Sequence, residues 1–119
     1  MRIIAFTFLF IMSGVCFAGD LPVSTQNEIS HLFTFIKSSD CQFNRNGTWY
    51  PARDAADHIE KKYNYFLKKG KISSAETFIK LSASESSMSG NKYRVRCGSP
   101  TEIDSSVWLK TELLKYRSK

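Results

Sequence analysis

Residues 41–51 read Cys-Gln-Phe-Asn-Arg-Asn-Gly-Thr-Trp-Tyr-Pro. Asn46-Gly47 sits at the centre of that run. Asn-Gly is the strongest short-range signal for a β-hairpin, because a type I′ turn needs positive φ at both central residues. Before the turn, Cys41, Phe43 and Arg45 alternate onto one face of a strand, and Gln42 and Asn44 onto the other. Trp49 and Tyr50 end the returning strand. Pro51 has no N–H to give to a ladder, so it stops that strand and suits the first turn of a helix. Asn46-Gly47-Thr48 also matches the glycosylation acceptor pattern, but a tight hairpin accounts for the same residues.

On the N-terminal side of the hairpin, Ile29, Leu32, Phe33 and Ile36 recur at helical spacing, with Phe35 widening the stripe. Thr25 and Glu28 fit a capping box, so the helix is expected from about Thr25 to Ser38. On the C-terminal side, Ala52, Ala55, Ala56, Ile59, Tyr63, Phe66 and Leu67 form one apolar face of a helix running to Lys68 and ended by Gly70. Ser73 and Glu76 fit a second capping box, opening a helix to about Ala83. Residues 82–89 hold five serines and read as a helix end and a loop. Lys92-Tyr-Arg-Val-Arg-Cys97 alternates again, with Tyr93, Val95 and Cys97 on one face and Lys92, Arg94 and Arg96 on the other. A last helix, from about Ser106 to Tyr116, carries Val107, Trp108, Leu109, Leu113 and Leu114. Four helices and three strands with no linker or repeat imply an α+β domain. Its simplest form is a small three-stranded antiparallel sheet with about four helices on one face.

The N-terminus has the three parts of a secretory signal peptide. Met1-Arg2 is charged, Ile3 to Met12 is apolar apart from Thr7, and Cys16 and Ala18 stand three and one positions before a cut after Ala18. A membrane anchor needs about 20 apolar residues, and residues 3–18 supply only 16. A lipidated Cys16 would need a small residue where Val15 stands. Cleavage leaves 19–119 as one small domain, with 16 basic and 11 acidic side chains and a net charge of +5. It also removes Cys16. Cys41 and Cys97 are then an even pair in an oxidising compartment and a disulfide candidate, the alternative being two free buried thiols. If they are bridged, the 41–45 and 92–97 strands lie side by side. Cys41, Cys97, His31 and His58 lack zinc-type spacing, so no metal and no cofactor is expected.

Four segments then follow in order: Phe43-Asn-Arg45-Asn46-Gly47, Ala55-Ala-Asp-His58-Ile59, Ser74-Ala-Glu76-Thr-Phe78-Ile79, and Ser86-Ser-Met-Ser-Gly90-Asn-Lys-Tyr93-Arg-Val95. Together they resemble the YfeK-like family of small exported bacterial proteins, built around a domain of unknown function, from about Glu28 to Tyr116. The resemblance implies a Gram-negative periplasmic protein of one domain without an assigned activity. It carries over no catalytic residue.

Asp54, His58 and Lys62 are spaced i, i+4, i+8 and share one helix face. An aspartate one turn from a histidine could orient the ring and raise its basicity for general-base chemistry. Arg45 could add a fork for an anion. The same residues also suit a plain boundary stripe, with Asp54 helping the helix N-terminus and Arg45 paired to a helix acid. Lys61, Lys62, Lys68, Lys69 and Lys71 gather at the end of that helix, Arg94 and Arg96 share a strand face, and Lys110, Lys115, Arg117 and Lys119 crowd the C-terminus. Such a surface attracts polyanions. In the periplasm the expected partner is an anionic envelope polymer or an acidic protein, not nucleic acid, and the membrane is met only through the signal peptide during export. Trp49 and Tyr65 are candidates for a contact patch.

Two functions are compatible with these residues. The main expectation is a periplasmic binding or accessory module, with Arg45, Asn46, Lys62, Arg94 and Arg96 as ligand-binding candidates. The alternative is a small envelope hydrolase with His58 as general base, assisted by Asp54 and Arg45. No Gly-x-Ser-x-Gly elbow or other activated nucleophile supports the alternative.

Overall fold

The computed structural model describes residues 21–119; the signal-peptide reading of residues 1–18 lies outside them. Four helices and four strands follow in the order α1 (Val23–Ser38), β1 (Gln42–Arg45), β2 (Thr48–Pro51), α2 (Ala52–Lys68), α3 (Ala75–Ser82), β3 (Arg94–Arg96), β4 (Ile103–Asp104) and α4 (Ser105–Arg117). The strands form one antiparallel sheet in the order β2-β1-β3-β4. The fold is α+β as expected, but the sheet has four strands rather than three. β4 is two residues long, too short to carry an alternation. It pairs with the edge of β3, where Asp104 lies opposite Arg94.

The hairpin forms as Asn46-Gly47 dictates, with φ of 54° and 88° at the two residues. Cys41 and Cys97 are joined by a disulfide. β1 and β3 pair in the same register: Gln42 faces Arg96, Phe43 faces Val95 and Asn44 faces Arg94. Phe43 and Val95 are buried against the helices, while Gln42, Asn44, Arg94 and Arg96 occupy the other face.

The core lies between this sheet face and the helices. Leu32 and Ile36 of α1, Ile59 of α2, Phe78 and Ile79 of α3, and Leu109 and Leu113 of α4 are all essentially inaccessible. Phe78 is its aromatic centre, with ring centroids of Phe33 and Tyr63 at 5.2 and 5.3 Å. Trp108 joins α4 to α1 and β1 through Phe35 at 4.4 Å and Phe43 at 5.4 Å. α4 is less amphipathic than its composition suggests, since Val107 and Leu114 face solvent.

Helix ends followed local rules where no tertiary partner intervened. α2 ends in a Schellman motif: Lys71 N–H donates to Phe66 O, and Gly70 N–H, at φ 72°, donates to Leu67 O. Pro51 stands one position earlier than expected, as the N-cap of α2 and the last residue of β2. Neither glutamate capping box forms. α1 starts at Val23 with Pro22 as an N-cap that offers no side-chain acceptor. α3 is capped by Ser74, whose hydroxyl accepts Thr77 N–H at 3.1 Å while Thr77 Oγ1 accepts Ser74 N–H at 2.9 Å. Glu28 and Glu76 are instead both held by Arg117. Its Nε and Nη2 donate to Glu28 at 2.8 and 3.0 Å, and its Nη1 and Nη2 to Glu76 at 2.7 and 3.0 Å. A fork of charge-assisted bonds outcompetes a glutamate reaching back to its own N-cap.

The bridge closes a long loop, so its removal acts mainly on the unfolded chain. Replacing Cys41 and Cys97 together by serine is expected to lower the unfolding free energy by about 2–4 kcal/mol, read as a lower urea midpoint. A midpoint that does not move would mean that the β1–β3 register holds without the bridge.

Candidate functional site

Arg45, His58, Lys62 and Tyr93 meet beneath the hairpin. Arg45 is the last residue of β1, on the inward face set by Phe43. Tyr93 immediately precedes β3, and one further step of the β1–β3 register brings it opposite Arg45. α2 follows β2 without a break and crosses under both, presenting His58 and, one turn on, Lys62.

Arg45 Nη1 lies 3.0 Å from His58 Nδ1 and 3.2 Å from Nε2, and the guanidinium sits 4.8 Å from the centroid of Tyr50. His58 Nε2 is 3.1 Å from Tyr93 Oη. Lys62 Nζ donates to that same hydroxyl at 3.2 Å and to Glu85 O at 2.6 Å. A slot of about 20 Å³, room for about one water, lies beside these groups and is lined by Phe43, Asn44, Arg45, Tyr50, Asp54, Ala55, His58, Ile59 and Tyr93.

The electrostatics follow from burial among cations. Desolvation lowers the pKa of His58 below its usual 6.5, and the charges of Arg45, Lys62 and Lys61 lower it further. His58 is therefore neutral at pH 7. Burial also lowers the pKa of Lys62, against the pull of Glu85, and raises that of Tyr93, against the pull of Arg45. Among the described residues neither Arg45 nor Lys62 has a carboxylate partner.

The candidates from sequence divide into three groups. Arg45, His58 and Lys62 converge. Asp54 lines the same slot but makes no hydrogen bond to His58, one turn away; the ring turns to Arg45 and Tyr93 instead. Arg45 does not pair with a helix acid. The remaining candidates lie elsewhere. Asn46 is engaged with the serine-rich loop, its Nδ2 donating to Ser86 Oγ at 3.3 Å and its Oδ1 accepting from Ser89 Oγ at 2.7 Å and Asn91 Nδ2 at 3.3 Å. Arg94 is paired with Asp104 at 3.2 Å. Arg96, on the outer sheet face, stacks 3.9 Å from the Trp49 centroid and donates to Gln42. Trp49 is covered by that stack, and Tyr65, 57 % exposed near the other end of α2, contacts Phe66 and Lys69.

Tyr93 was missed because alternation assigns it to the core, where it is indeed buried; only its hydroxyl belongs to the site. The pairing of Cys41 with Cys97 carries the signal that finds it, since the same offset sets Arg45 across from Tyr93.

The lowered pKa of His58 has a definite sign for stability. Because its folded pKa is below its unfolded one, the unfolded chain binds more protons between the two values. The contribution of His58 is present in full above the unfolded pKa and declines as the pH falls through 6.5 toward the folded value. Urea midpoints taken from about pH 7.5 down to about pH 5 should fall less for His58→Gln than for the unsubstituted protein. Parallel profiles would contradict this assignment.

Residues 23–117 match the model of a family of unknown function (DUF5329), and the chain belongs to that family. No curated protein and no solved structure matches it.

Proposed function

We propose that this protein, as a member of a family without an assigned activity, is an exported binding module. It takes an anionic ligand, an envelope component or an acidic protein, at the Arg45–His58–Lys62–Tyr93 cluster. The observation that carries this reading is that two cations converge on one neutral imidazole and one phenol with no carboxylate in ion-pair contact with either among the described residues, Glu85 acting on Lys62 only from a longer distance. By contrast, Arg94 is ion-paired with Asp104, and Arg117 with Glu28 and Glu76. Partly buried like charges raise one another's energy, and an anion placed between them offsets that cost.

Export is part of the proposal. It rests on the signal-peptide pattern of residues 1–18, the resemblance to YfeK-like exported proteins and a disulfide compatible with an oxidising compartment. No described helix is long and apolar enough to cross a membrane. The location proposed is the periplasm of a Gram-negative bacterium, and the chain recovered from a periplasmic fraction should have a mass that begins at Gly19. A chain that retains Met1 and stays with the cytoplasm would remove this part of the reading.

The hydrolase alternative draws on the meeting of Arg45 and His58 at a slot that Asp54 also lines. It is weaker on three counts. Asp54 does not orient the ring, the surrounding cations make His58 a poorer base, and the slot holds about one water.

One substitution series separates the readings. In recovery of partners from envelope extract, Arg45→Ala and Lys62→Ala should each weaken capture about tenfold or more, as expected for a lost charge-assisted bond. Asp54→Asn should strengthen capture, because it removes a negative charge from the slot. The hydrolase reading requires Asp54→Asn to reduce turnover instead. Equal capture by all variants would sink the binding proposal.

A further inference from the structure

Three of the six large apolar side chains exposed among the described residues, Ile103, Val107 and Leu114, fall within one short stretch of chain. Apolar side chains exposed one by one are ordinary; a group of them marks a surface that is covered in use. On α4, Val107 and Leu114 are 55 % and 64 % exposed, and Thr111 stands exposed between them. A spacing of i, i+4 and i+7 puts the three on one face. It is the face turned away from Leu109 and Leu113, which are buried in the core. Thr111 Oγ1 donates to Val107 O at 2.8 Å, so covering the stripe leaves that hydroxyl satisfied. α4 packs against α1, α3, β3 and β4, whereas the Arg45–His58 pair belongs to β1 and α2.

The edges of this stripe are basic. The turn of the helix sets Lys110 on one flank and Lys115 on the other. Both are exposed, and neither is in an ion pair among the described residues. On the Lys110 side a recess of about 320 Å³ opens toward α3, its charged lining being Lys80, Lys92, Lys110, Glu76 and Glu85. Glu76 is held by Arg117, and Lys92 stands 3.8 Å from Asp104. With those two pairs set aside, Lys80 and Lys110 outnumber Glu85. We propose that the outer face of α4 is a docking surface for an amphipathic helix of an acidic protein. The apolar side chains of that helix cover Val107, Thr111 and Leu114, and its carboxylates reach Lys110, Lys115 and the recess. Apolar burial supplies the affinity, and the charged edges set partner and register. A second copy of the chain is a poor occupant. Antiparallel pairing of two α4 helices sets each flank against itself, parallel pairing sets one flank against the other, and both flanks carry lysine. A flat anionic membrane is poor too, because it cannot follow the lysines into the recess, and two aliphatic side chains and a threonine make a narrow anchor for lipid. The inference does not depend on the anion-binding reading of the Arg45–His58 cluster.

The test places a photo-crosslinking phenylalanine analogue at position 111 of the full chain, in cells that produce the protein naturally, and identifies the adducts by mass spectrometry. The expected adduct is with a different protein, through a peptide that forms an acidic amphipathic helix. Two double substitutions, Lys110→Glu with Lys115→Glu and Val107→Asp with Leu114→Asp, should each lower its yield about tenfold or more. All four positions are exposed, so both variants keep the fold, which an unmoved urea midpoint checks. An adduct of the chain with itself or with lipid overturns the proposal, as does a partner peptide without acidic residues. No adduct at all, or an adduct whose yield neither double substitution lowers, overturns it as well.

Discussion

The register between β1 and β3 is the constraint on which the rest of the structure depends. The Cys41–Cys97 bridge and the three ladder pairs share one offset. That offset places Phe43 and Val95 together on the face that the helices cover. A slip by one residue would put Phe43 on the same face as Arg94 and Arg96, and Val95 on the same face as Gln42 and Asn44, so the helices could cover only one of the two apolar residues. The covalent bond therefore reinforces the same choice that the hydrophobic pattern makes. It also determines the chemistry, because the next inward pair along that offset is Arg45 and Tyr93.

Two kinds of arginine follow from this arrangement. Arg117 and Arg94 are closed ion pairs that tie elements together: Arg117 joins the end of α4 to α1 and α3, and Arg94 joins β3 to β4. Because these pairs are partly exposed, each contributes little to stability, of the order of 1 kcal/mol or less. Arg45 is different. It is stacked on Tyr50 and directed at a neutral imidazole, so its charge remains available. A neutral His58 is what allows Arg45 and Lys62 to approach the same pair of rings, and burial keeps it neutral. The cluster is thus two cations and a phenol hydroxyl around a neutral imidazole, and the cations lower the basicity of that ring.

Helix starts illustrate where local reading fails. Thr25 with Glu28, and Ser73 with Glu76, both have the spacing of a capping box. Arg117, about 90 and 40 residues further along the chain, takes both glutamates. Once Glu76 was committed, Ser74 and Thr77 capped α3 one position later. β4 was invisible for another reason. Two residues have no period, and Ile103–Asp104 became a strand because β3 offered an unpaired edge and Arg94 an ionic partner.

By itself the sequence determined the hairpin at Asn46-Gly47, the apolar faces of α1 and α2, the alternation of the strands and the pair of cysteines able to bridge them. Each is a local property, set by allowed φ angles, by periods of 3.6 and 2, or by the chemistry of a residue type. It also marked His58 and Lys62, which share one helix face with Asp54, and Arg45, a fork of donors at the end of the hairpin strand. Only the tertiary structure decided that Asp54 would not hold His58, that Tyr93 would, that Glu28 and Glu76 would serve Arg117, and that Arg94 would be neutralised while Arg45 was not. Those outcomes are competitions between partners distant in the chain, and geometry awards each donor and acceptor to the partner it can reach with the best bond.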